Sequence, residues 1–136
     1  MEKDIITRLL RAHTAADNHL SALLSFVHPD LAEVNARVRT YVFLRFMLEE
    51  QEYPNATFDQ LAKLSIAQAA HVAPELVMEL DKSRDCVGST SLMSKKVLLL
   101  RGIEKTLHIT LPAMRSAEIV TLEDLGMLIW EQLCAD

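Results

Sequence analysis

The sequence predicts an all-helical protein, and three observations lead there. Only three glycines and four prolines occur in 136 residues, so few positions force a helix to stop. Apolar residues recur at three- and four-residue spacing almost throughout, not in alternation. Half of the residues are hydrophobic, enough to bury a core, yet no apolar run approaches the roughly 20 residues needed to cross a bilayer.

The first helix is expected from Asp4 to Val27, where Ile6, Leu9, Leu10, His13, Ala16, Leu20, Leu23, Leu24 and Val27 fall on one stripe. "HPD" at 28–30 breaks it. Asp30 is placed to cap a second helix reaching about Gln51, because a short carboxylate there accepts from the unpaired N–H groups of the first turn. The two helices predict an antiparallel hairpin over residues 1–52. The apolar breadth of Tyr41 to Leu48 exceeds what one partner helix can cover, so it is expected to bury against the remainder of the chain, a second copy or a partner enzyme, and packing on the chain itself is the least elaborate of these. The charged "EEQEYPNAT" marks the boundary with a second unit over residues 56–136. Its elements are a helix opening at Thr57, a long loop closing on "VGSTSL", a helix ending before Leu111-Pro112, and a final helix. For that last helix Thr121 and Asp124 form a capping pair, and Val120 and Leu125 stand where a hydrophobic staple would be. Leu122, Leu125, Ile129 and Leu133 share one face.

Charge and residue types narrow the function. A net charge of −5, with no lysine and arginine cluster interleaved with aromatics, argues against nucleic acid as partner. Cys86 and Cys134 are far apart and lack ligand spacing, so neither a disulfide framework nor a zinc site is expected. The histidines at 13, 19, 28, 71 and 108 lack the spacing of a helical metal site, and Glu49, Glu50 and Glu52 read as a solvated helix end. No catalytic constellation is present, so the chain is not expected to be an enzyme. The N-terminus is too charged for a signal peptide, which points to the cytoplasm.

The order of elements from residue 56 onward resembles the acyl carrier protein family over about the last 80 residues. Val87, Gly88, Ser91 and Leu92 fit the family's L-G-x-D-S-L signature, Thr90 departs from it, and "TLEDL" at 121–125 is similar to the family's entry into its final helix. The resemblance implies a four-helix bundle, here preceded by the N-terminal hairpin. It also implies a 4′-phosphopantetheine arm on Ser91, holding acyl or aminoacyl intermediates as thioesters. The implied partners are a phosphopantetheinyl transferase, an acyl- or aminoacyl-loading ligase and downstream synthase enzymes.

Two departures shape the expectation. Counting backward from Leu111-Pro112 puts Met93 at the family's serine position. That register turns Val97, Leu100, Ile103 and Leu107 inward and keeps Arg101 and Lys105 outside. Three alternatives stay open: Ser91 is modified, Ser94 has taken its role, or the arm is absent. The helix is also basic, carrying Lys95, Lys96, Arg101 and Lys105 against Glu104. Such a face would be repelled by partners that steer acidic carriers, which suggests a specialised pathway rather than housekeeping lipid synthesis. Leu92, Lys95, Lys96 and Arg101 are the expected partner-binding residues. The competing reading is a carrier-like fold without the arm, acting as an interaction or regulatory module whose hydroxyl cluster only caps a helix.

Overall fold

The computed structural model describes residues 2–70 and 91–135. His71, Val72, Cys86, Val87, Gly88, Ser89 and Thr90, which entered the sequence reading, lie outside the described residues. Six α-helices and no strands are found among those described. They are α1 (Glu2–Ser21), α2 (Leu31–Phe46), α3 (Phe58–Ala70), α4 (Ser91–Leu107), α5 (Ala113–Ala117) and α6 (Leu122–Cys134). Short 3₁₀ turns occupy Ala22–Ser25 and Glu50–Glu52.

α1 and α2 pair antiparallel, with the Arg37 guanidinium donating to the His19 carbonyl (3.0 Å) and Arg45 lying 4.0 Å from Asp17. Asp30 caps α2 as expected, accepting from the Glu33 N–H at 2.8 Å. Both helices end earlier than their patterns suggest. α1 tightens into a 3₁₀ turn after Ser21, and α2 stops at Phe46 because Met47 adopts a left-handed conformation (φ 57°) and Leu48 N–H donates back to the Phe43 carbonyl. The α1 stripe is covered only in its middle. Ala16, Leu20 and Leu23 are buried, whereas Ile6, Leu10 and Val27 are exposed, because no described element covers those three side chains.

The broad apolar face of α2 is covered within the chain. Tyr41, Val42, Phe43 and Phe46 join one buried cluster with Phe58 and Leu61 of α3, Leu99 and Ile103 of α4, and Leu125 and Ile129 of α6. α6 lies along α2, and the Trp130 indole N–H donates to the Pro29 carbonyl at 3.0 Å. α3 is tied in at its start and its middle: Phe58 N–H donates to the Val120 carbonyl, and the buried Ser65 hydroxyl donates to the Phe46 carbonyl, which the end of α2 leaves without a helical partner.

The final helix follows its sequence closely. Thr121 and Asp124 form a reciprocal capping box, and Leu122, Leu125 and Ile129 are buried with Leu133 half-buried. The staple is not made: Val120 is 58% exposed, and Ile119 turns inward in its place. On α4 the inward stripe is Leu99, Ile103 and Leu107, so Val97 is corrected to an exposed position and Leu100 to a half-buried one. Arg101 and Lys105 do stay outside.

Candidate functional site

Ser91 is the first residue of α4 and is exposed. Ser94 is exposed one turn on. His108, the histidine that closes α4, stands at its opposite end, about 25 Å along the axis at 1.5 Å per residue, out of reach as a base for Ser91.

Immediately after Ser91 the helix borders a cleft of about 520 Å³ between α4 and α5. Leu92, Met93, Val97 and Leu100 form its α4 wall, and Leu111 with Ala113 and Ala117 closes the far side. The small alanines of α5 keep the cleft open where larger side chains would fill it. Lys96, Arg101 and Glu104 stand along it as the charged groups. The turn from α4 to α5 is held by Glu104, whose carboxylate accepts from Leu111 N–H at 2.8 Å while its carbonyl accepts from Ile109 N–H. His108 makes that turn with φ 57°, a left-handed conformation more often given to glycine. An apolar slot of this size with a few charged groups at its edge suits a hydrocarbon chain carrying a polar end.

The four expected partner-binding residues are not equivalent. Leu92 is half-buried against the core, and Arg101 is exposed. Lys95 and Lys96, expected on an open face, are half-buried. The Lys95 ammonium sits 5.4 Å from the centre of the Phe46 ring, and Lys96 lies 5.5 Å over Phe58 and pairs with Asp59 at 2.5 Å. Their stems are long enough to lie over aromatic surface while the charged ends reach water, which a helical-wheel count does not reveal. Burial, followed by the neighbouring Arg45 charge, pulls the Lys95 ammonium below the usual lysine range.

No known protein family, curated protein or solved structure matches the chain. The site therefore rests on its own geometry. An exposed serine at the first residue of the 17-residue α4 adjoins an apolar cleft whose lining begins at the next residue. No group of three or more His, Cys, Asp or Glu side chains suited to a metal ion occurs among the described residues, and no described helix is long and apolar enough to cross a membrane.

The sequence reading missed the cleft. The available signal was the pair Ala113 and Ala117, four residues apart and facing the apolar side of α4.

Proposed function

We propose that this chain is a carrier protein, not itself an enzyme, that holds an acyl or aminoacyl intermediate as a thioester on a 4′-phosphopantetheine arm at Ser91. The observation that carries this reading is the adjacency of Ser91 to the α4–α5 cleft. The arm supplies a thiol that keeps a carboxylic acid activated as a thioester. The remaining roles belong to the chain. The N-terminal end of the α4 dipole favours a phosphodiester on Ser91. Leu92, Met93, Val97 and Leu100 offer an apolar wall that can take a hydrocarbon out of water. Arg101, exposed beside the cleft, is available to an acidic partner surface.

The partners that follow are a phosphopantetheinyl transferase, a loading ligase and synthase enzymes of a specialised pathway in the cytoplasm. Fold and role would then correspond to a four-helix carrier bundle over residues 56–136 with the hairpin of residues 1–52 packed on it. One observation favours the second reading, an interaction module without the arm: Lys95 and Lys96 are engaged with the chain's own aromatic rings, leaving Arg101 and Lys105 as the exposed bases of α4.

Intact mass after co-expression with a broad-specificity phosphopantetheinyl transferase separates the two. The carrier reading expects a single increment equal to one arm, lost in Ser91→Ala and kept in Ser94→Ala. An unmodified protein with several transferases would decide for the interaction module.

A further inference from the structure

A second cleft, of about 230 Å³, lies on the other side of α4, where α1, α2 and the start of α4 meet. Three basic side chains from three helices line it: His13 from α1, Arg45 from α2 and Lys95 from α4. Leu9, Phe46 and Leu98 supply apolar wall, and Leu9 and Leu98 remain 39% and 63% exposed, so the wall continues to the surface. The charged or titratable groups gathered here are His13 and Asp17 on α1, Tyr41 and Arg45 on α2, and Lys95 on α4.

Asp17 is the carboxylate of this group. It is half exposed and 4.0 Å from Arg45, too loose to neutralise the bases around it. The Arg45 guanidinium meets a phenol oxygen, that of Tyr41, at 3.4 Å. Lys95 lies over the Phe46 ring, a contact that leaves its ammonium protons available as donors. Converging like charges in a partly desolvated cleft repel one another, and a bound anion relieves that repulsion. The depressed His13 and Lys95 titrations agree in direction with this mutual repulsion, after burial as the leading cause.

We infer that this cleft is a binding site for an aliphatic carboxylate, its head held by His13, Arg45 and Lys95 and its tail laid on Leu9, Phe46 and Leu98. The small volume suits a head and a short length of chain, with further methylenes lying on the exposed leucines. The site is separate from the α4–α5 cleft and does not rest on modification of Ser91.

Methyl-resolved NMR titration of the full chain tests it with three probes: octanoate, octanol and inorganic phosphate. Octanoate is expected to shift the Leu9 and Leu98 methyls and to bind about tenfold tighter than either octanol, which lacks the charge, or phosphate, which lacks the tail. Its affinity should rise as pH falls from 8 to 6, because the carboxylate favours the protonated form of His13. Arg45→Gln and Lys95→Gln should each weaken octanoate about tenfold at unchanged far-UV circular dichroism. Equal binding of octanoate and octanol would overturn the proposal, as would equal binding of phosphate, or octanoate shifts confined to Leu111, Ala113 and Ala117. Should a variant fail to fold, the probe comparison and pH dependence on the unaltered protein still decide.

Discussion

Gly126 of α6 lies directly under the Asn35 side chain of α2, so close that a methyl group on its Cα would overlap the amide oxygen. The overlap is with the Asn35 side chain, since the Asn35 Cα would lie at 3.4 Å, an ordinary contact distance. This contact lets two helices that share much of the core approach closely. It also leaves the Asn35 amide oxygen buried with no hydrogen-bond partner among the described residues.

Gly126→Ala should therefore destabilise the protein by about 1–3 kcal/mol, the usual cost of overpacking, although alanine is the better helix former. Urea denaturation would measure it. Removing the obstruction in Asn35→Ala/Gly126→Ala should recover part of the loss, and simple additivity of the two single variants would mean that the close approach is not the cause.

The His13 imidazole is held below its ordinary value of 6.5, by burial first and then by Arg45, with Lys95 adding to the effect against Asp17. The unfolded chain thus takes up a proton at a higher pH than the folded one. Stability should fall as pH drops through 6.5 toward the folded-state value, and His13→Gln should flatten that part of the curve. Thermal melts between pH 5 and 8 at fixed ionic strength would show it.

At the alkaline end Tyr41 acts in the opposite sense. Burial pushes its phenol up to about 12, with Arg45 opposing. The folded state keeps a proton that the unfolded state loses above 10, so stability should decline as pH rises from 10 toward 12, less steeply in Tyr41→Phe. Spectrophotometric titration should show one tyrosine ionising only as the protein unfolds.

Thr121→Ala should cost about 1 kcal/mol, the typical loss when an N-cap hydroxyl is removed, because Asp124 N–H then loses its acceptor at 3.0 Å. Backbone donors at Thr121 and Val120 hold the Asp124 carboxyl below 3.8, so its contribution should be present above that pH and lost as pH falls below it. Chemical denaturation at pH 7 and pH 3 would measure both effects.

Deleting residues 1–52 should expose Phe58, Leu61, Ile103, Leu125 and Ile129, which share one buried cluster with the hairpin. Each such side chain is worth roughly 1.5–3 kcal/mol when covered. The remaining 53–136 fragment is therefore expected to lose its cooperative melt. Retention of the full-chain melting temperature would show that α2 contributes no stability to the rest.

Much of the local structure was legible in the sequence alone, because it rests on contacts within a turn or two. Asp30 before α2, Thr121 and Asp124 before α6, and the 3.6-residue repeat of Leu122, Leu125 and Ile129 each carry their own physical signal. What the chain does next depends on residues far away, and there the tertiary structure decided. Val97 and Leu99 are equally apolar, and only the positions of the helices packed on α4, chiefly α3 and α1, determine that Leu99 turns inward. Lys95 and Lys96 look solvated by charge, yet Phe46 and Phe58 lie under their stems. His13 falls on a helical stripe in sequence, and only packing brings it beside Arg45 and Lys95. A helical repeat specifies which residues share a face, whereas exposure and electrostatic surroundings depend on which other helices cover that face.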